Sequence, residues 1–126
     1  MKVFVVDDDP VYKLIVQRMF SEIGNGLSIS FFSDGKEAMD VLEEGGDGAF
    51  PDIIMLDIEM PEMDGWAFMD AFRRLPAAAR ATTKIYIITS SIANEDIQRA
   101  SQYPEIINYI PKPVTQKILK RIIGQS

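Results

Sequence analysis

The 126-residue chain contains no histidine and no cysteine. Without imidazole there can be no Ser/His/Asp hydrolase, no imidazole-based zinc site and no phosphohistidine carrier. Without a thiol there is no disulfide and no thiolate chemistry, which is compatible with a reducing compartment. Long apolar runs are missing too: none approaches the roughly 18 residues that span a bilayer. Met1-Lys2 leads straight into a strand-like run rather than a signal peptide. The expected location is cytoplasmic, with no membrane contact. Positive charge is scarce, with 13 Lys and Arg against 19 Asp and Glu and a net charge of −6. The one basic concentration, Lys117, Lys120 and Arg121, suits the solvated face and C-terminal turn of a last helix, so direct nucleic-acid binding is not expected. At 47% apolar and 25% charged residues, the composition is that of one globular domain over residues 1–126.

Four apolar runs each end in a group suited to phosphate chemistry. Lys2 to Val6 is followed by Asp7-Asp8, and Ile53 to Leu56 by Asp57. Ile85 to Ile88 runs into Thr89-Ser90, and Ile106 to Ile110 runs through Pro111 into Lys112. Between the runs lie helical patterns. Asp9-Pro10 reads as an N-cap followed by first-turn proline, ahead of Tyr12, Ile15, Val16, Met19, Phe20 and Ile23 at helical spacing, with Gly24 as the stop. Leu27 to Phe32 is a further strand. Asp34-Gly35-Lys36-Glu37 offers a capping box for a helix expected to bury Ala38, Val41 and Leu42. A helix from about Trp66 to Leu75 is expected to bury members of Trp66, Met69, Phe72 and Leu75, and Pro76 to Thr83 reads as a short helical turn plus loop. A weak helix over Asn94 to about Gln102 has Ile97 and Ala100 as chief anchors. The last helix, from near Pro113, is expected to bury Val114, Ile118, Leu119, Ile122 and Ile123.

Alternating strands and helices imply an α/β fold, a five-stranded parallel sheet with helices on both faces. Right-handed crossovers that cover both faces must reverse direction once, and the natural strand order is 2-1-3-4-5. The crevice then opens at the strand ends, with Asp7-Asp8 beside Asp57 and with Thr89 and Lys112 on neighbouring strands. The run ending in Ser33 carries no matching group, as befits an edge strand.

As bare charge, Asp7, Asp8 and Asp57 contribute −3 and Lys112 +1, an arrangement that raises a carboxylate pKa unless a cation enters. Carboxylate and carbonyl oxygens in an open site suit Mg²⁺, with Mn²⁺ a second option. Such a site binds a phosphoryl group, with Lys112 offsetting charge and the Thr89 hydroxyl donating. A carboxylate in line with that group can form an acyl phosphate. Asp57 stands alone at its strand end, whereas the adjacent Asp7 and Asp8 are better placed as metal ligands.

Val5-Val6-Asp7-Asp8-Asp9-Pro10, Leu56 to Gly65 (LDIEMPEMDG), Thr89-Ser90 and Tyr109-Ile110-Pro111-Lys112-Pro113 together resemble the receiver domain of bacterial response regulators, close to single-domain CheY-like proteins. The resemblance covers essentially the whole chain. It implies a two-component phosphorelay in which a sensor histidine kinase or histidine phosphotransfer protein phosphorylates Asp57. It further implies Mg²⁺ on Asp7, Asp8, Asp57 and the Glu59 backbone carbonyl, Thr89 as switch hydroxyl, Lys112 on a phosphoryl oxygen, a cis Lys112-Pro113 bond and Tyr109 as the switch aromatic. Glu59 and Ser91 fall where the family tunes phosphoryl lifetime. The protein would be a phosphoacceptor, not an enzyme with an external substrate, limited to self-phosphorylation and autodephosphorylation.

Two departures stand out. The segment before Tyr109 reads Ser101-Gln102-Tyr103-Pro104-Glu105-Ile106-Ile107-Asn108 where glycine and alanine are usual, and the loop from Pro76 to Thr83 is long. Two other readings use the same residues. In a haloacid-dehalogenase-like phosphohydrolase Asp7 would be the nucleophile and Asp9 the acid/base, but the late acidic motif and a cap domain are missing. The fold could also serve as a phosphorylation-independent interaction domain. The receiver uses up the chain, so the output is expected through protein contact at the face carrying Tyr109 and the helix before it, unless the receiver belongs to a longer protein. The same face could serve a homodimer.

Overall fold

The computed structural model describes residues 1–24 and 26–124. Five strands, β1 (Lys2–Val6), β2 (Ser28–Phe32), β3 (Ile53–Leu56), β4 (Lys84–Thr89) and β5 (Ile106–Pro111), form one parallel sheet in the order β2-β1-β3-β4-β5. This is the expected order. The helices are α1 (Pro10–Ile23), α2 (Gly35–Glu44), α3 (Gly65–Arg73), α4 (Ala77–Arg80), α5 (Asn94–Ala100) and α6 (Gln116–Gly124), with one 3₁₀ turn over Asp47–Ala49. No helix among the described residues is long and apolar enough to cross a membrane.

The central strands are apolar without alternation because both of their faces are covered. Val3, Val5, Ile53, Met55, Tyr86 and Ile88 meet Tyr12, Val16 and Phe20 of α1 and Leu119 and Ile122 of α6. Phe4, Val6, Ile54, Leu56, Ile85 and Ile87 meet Met39 and Leu42 of α2 and Phe68, Met69 and Phe72 of α3. A register shift between Ile85 and Tyr86 leaves Ile107 out of the β4–β5 pairing and half exposed.

The caps follow the sequence. Asp9 accepts from the Val11 and Tyr12 amides with Pro10 opening α1, and Asp64 caps α3 through Ala67 N–H. At α2, Asp34 accepts from Glu37 N–H, while the Glu37 carboxylate accepts from Ser33 N–H, one residue earlier than the capping box requires.

Three expected anchors point outward instead. Ile15 and Val41 are 48% and 39% exposed, because each lies about 100° around its helix from the centre of the buried arc. Met39 takes the core position that Val41 does not. Ile97 is 43% exposed, and Ala100 is the only residue that α5 fully buries.

Candidate functional site

Register decides what meets at the crevice. Val6 pairs with Leu56 and Asp57 N–H donates to Val6 O at 3.0 Å, so Asp7 and Asp57 leave adjacent strands level with each other. Leu56 pairs with Ile87, and Thr89 with Pro111, which carries Thr89 and Lys112 to the same edge. Lys112 N–H donates to Thr89 O at 2.8 Å, and the Lys112-Pro113 bond is cis. Gly65 allows the chain after Asp57 to fold back: a Cβ there would lie 2.6 Å from Ile58 Cα and 2.7 Å from the Asp57 carbonyl oxygen.

Asp7, Asp57 and Thr89 are buried, whereas Asp8 is exposed at the rim. Asp7 Oδ1 accepts from Asp9 N–H at 2.9 Å and Asp57 Oδ1 from Glu59 N–H at 3.1 Å. Lys112 Nζ lies 2.8 Å from Asp7 Oδ2 and 3.3 Å from Asp57 Oδ2. The first contact has ion-pair distance without hydrogen-bond alignment, so Asp7 Oδ2 is buried with no hydrogen-bond partner among the described residues. Burial raises the Asp7 carboxyl above its usual value; the Lys112 ammonium and the Asp9 amide pull it back, and the Asp57 charge raises it further. For Lys112 burial alone would lower the pKa, but Asp7 and Asp57 together outweigh it and hold the ammonium more firmly protonated than usual.

A carboxylate oxygen from each of Asp7, Asp8 and Asp57 falls within 4.8 Å of the others. Hard oxygen donors around a buried carboxylate whose close neighbour is a single ammonium, with net negative charge, fit a small divalent cation. The seven sequence-selected positions therefore converge unequally. Asp7, Asp8, Asp57 and Lys112 share one cluster. Thr89 stands beside it, its Oγ1 donating to Glu59 Oε1 at 3.3 Å. Glu59 thus offers its side chain to Thr89, besides the carbonyl expected as a ligand. Tyr109 lies farther out, partly buried, its hydroxyl donating to the Ser91 carbonyl at 2.8 Å. Asp9 is committed to the α1 cap, which leaves it poorly placed as the acid/base of a hydrolase.

Tyr12 was legible only as a core residue, yet its ring lies 4.3 Å from Lys112 Nζ. An aromatic in the first turn after an acidic pair was the one available signal. Asp96 and Trp66 carried none: they meet through a hydrogen bond between residues 30 positions apart.

Comparison with known proteins agrees with this geometry. The response regulator receiver domain family matches residues 3–124. The chain is 28% identical to the probable methanogenesis regulatory protein FilR2 of Methanothrix harundinacea, over 98% of this chain and 79% of that protein. Several other curated relatives are much longer, the chain spanning 15% to 34% of their length. Among solved structures, a response regulator receiver protein from Dyadobacter fermentans superposes with a TM-score of 0.85 at 28% identity, covering 99% of this chain and 96% of that one. The receiver domain of a sensor histidine kinase from Pseudomonas aeruginosa PAO1, described with a magnesium ion coordinated in its active-site cleft, superposes at 0.79 and 22% identity over 98% of this chain and 94% of that one. With its family match, its five-stranded 2-1-3-4-5 sheet and its acidic crevice, the chain belongs to the response regulator receiver domain family of two-component signalling.

Proposed function

We propose that Asp57 accepts a phosphoryl group from a phosphohistidine on a partner kinase or phosphotransfer protein, and that the modified site resets a protein-binding surface. The observation that carries this reading is the environment of Asp57. A buried carboxylate ends its strand with an ammonium 3.3 Å away and two more acidic side chains around it. In the transfer, an Asp57 oxygen forms the O–P bond as the P–N bond breaks, and its electron pair leaves with the imidazole, which takes a proton. Asp7, Asp8, Asp57 and the Glu59 carbonyl would hold a divalent cation, with Mg²⁺ favoured by the ion in the Pseudomonas receiver and Mn²⁺ the substitute. Such a cation supplies charge neutralisation for the phosphoryl oxygens. Lys112 adds a second positive charge, and the Thr89 hydroxyl can exchange its Glu59 acceptor for a phosphoryl oxygen.

No external substrate is expected to turn over. The surface that responds is assigned to Tyr109 and α5, whose partner, or second copy, binds there.

The test is incubation with Mg²⁺ and acetyl phosphate, followed by intact-mass measurement. Wild type should gain one phosphoryl group and Asp57→Asn none; equal adducts in both would overturn the assignment. Repeated turnover of a small phosphomonoester that disappears in Asp7→Asn would point to the hydrolase instead.

A further inference from the structure

The Lys112 ammonium has neighbours of two kinds. Asp7 Oδ2 lies 2.8 Å from its Nζ and Asp57 Oδ2 lies 3.3 Å away, and the ammonium also stands over the ring of Tyr12, 4.3 Å from the centroid. Tyr12 is fixed without reference to Lys112. Its N–H donates to the Asp9 cap of α1 at 3.3 Å, and it belongs to the buried cluster of Val16, Phe20, Val114 and Leu119, which leaves it 9% exposed. Its hydroxyl has no hydrogen-bond partner among the described residues, so the ring face is what this side chain offers the site. Lys112 is tied at its backbone, where its N–H donates to Thr89 O at 2.8 Å. Where the ammonium rests is decided by its own contacts.

The two kinds of contact respond differently to a cation in the crevice. Once Asp7 and Asp57 take up a divalent ion, the charges that attract the ammonium are neutralised and the ion adds a repulsion of its own. The attraction of an aromatic face comes from the ring quadrupole and does not depend on what the carboxylates hold. It is weaker than that of two carboxylates, so it decides little while they are free and much once they are occupied. A long side chain released to solvent must be immobilised again before it can pair with a phosphoryl oxygen, which weakens that pairing.

We propose that Tyr12 is a positioning residue for Lys112: its ring keeps the ammonium in the crevice when Asp7 and Asp57 hold a divalent cation, so that Lys112 meets an arriving phosphoryl group already in place. The inference rests on Asp57 being the phosphoacceptor. It gives Tyr12, which lies outside the cluster of carboxylates, a part in phosphoryl binding that its burial alone would not suggest.

The direct test is NMR of protein labelled at the lysine ε-carbons. Protons over an aromatic face resonate upfield, and the Lys112 signal is identified by its loss in Lys112→Arg. In wild type that upfield signal should persist when Mg²⁺ is added to saturation; its return to the ordinary lysine position would overturn the proposal and leave the phosphoacceptor reading standing. Tyr12→Leu should have no such signal. In that variant beryllofluoride, followed by ¹⁹F NMR at saturating Mg²⁺, should bind about three- to tenfold more weakly, the factor for immobilising one long side chain, while Mg²⁺ affinity stays close to wild type. Equal losses for both ligands would mean general damage to the crevice and would overturn the positioning role. Tyr12→Phe should restore the upfield signal and the beryllofluoride affinity. Ring-fluorinated phenylalanine at position 12 keeps the shape but weakens the negative face, so affinity should fall step by step as fluorines are added. A flat series would overturn the contact between cation and ring as the cause, and the series reports even if Tyr12→Leu folds poorly. Failure of wild type to bind beryllofluoride or gain a phosphoryl group would instead remove the phosphoacceptor reading, and the role of Tyr12 with it.

Discussion

The Lys112 ammonium lies 4.3 Å from the Tyr12 ring centroid while it reaches Asp7 and Asp57. The negative face of the ring attracts the cation. The Tyr12 hydroxyl is buried with no hydrogen-bond partner among the described residues, and burial, with Asp7 and Asp57 nearby, pushes its pKa upward so that it stays neutral.

Tyr12→Phe should therefore stabilise the fold. It keeps the ring under Lys112 and removes an unsatisfied polar atom, a gain of about 1 kcal/mol. Tyr12→Leu should destabilise by about 1–3 kcal/mol, because it loses the ring contact and leaves space behind. Urea unfolding of both variants measures the difference, and equal losses would argue that the hydroxyl is satisfied in solution.

Asp7 sets a pH dependence in metal-free protein. Its native carboxyl titrates above the 3.8 of an ordinary Asp, so between that value and its raised pKa the native state holds more protons than the unfolded chain. Stability from this group therefore falls as pH rises through that window and stays lower above it. Asp7→Asn should abolish this component and raise metal-free stability near neutral pH, since Lys112 keeps Asp57 as partner. Thermal melts across pH 4 to 7 with a chelator present should show the variant's advantage growing with pH.

Both that window and the site itself follow from features legible in one dimension. Strands buried on two faces are written as unbroken apolar runs, so Val3 to Val6 and Ile53 to Leu56 announce themselves, and the groups after them must fall on the crevice edge of a parallel sheet. Helix faces were less legible. Ile15, Val41 and Ile97 fit a helical period, but which arc turns inward depends on where the helix docks, and the sheet decides that. The contacts of Tyr12 with Lys112, of Ser91 with Tyr109 and of Trp66 with Asp96 were illegible for a related reason: each needs an approach between segments far apart in the chain. Tyr103, noted only as a departure from the family's glycine and alanine, proves to be the stacking partner of Trp66, with its hydroxyl donating to Asp70.

Magnesium should stabilise the protein by mass action. A cation that binds only the native state adds about 2.7 kcal/mol at one hundred times its dissociation constant. The melting temperature should thus climb with Mg²⁺ concentration and fall back on chelation. Asp57→Asn and Asp7→Asn should lose most of the increment, each having given up one of the three clustered carboxylates. An unchanged increment in both would place the cation elsewhere.

Gly65 should be irreplaceable for a reason separate from charge. A Cβ there would stand 2.6 Å from Ile58 Cα and 2.7 Å from the Asp57 carbonyl oxygen, and these are backbone atoms that cannot rotate away. Gly65→Ala must push the start of α3 off the end of β3, at a cost of about 1–3 kcal/mol. Because the displaced strand end carries Asp57, the same substitution should lower the phosphoryl adduct yield even where most molecules remain folded. Gly48, whose Cβ would meet nothing within 4 Å, provides the control: Gly48→Ala should fall within about 0.5 kcal/mol of wild type and keep full yield. If Gly65→Ala lowered stability but left the yield per folded molecule intact, the close approach would matter to the fold alone and not to the placement of Asp57.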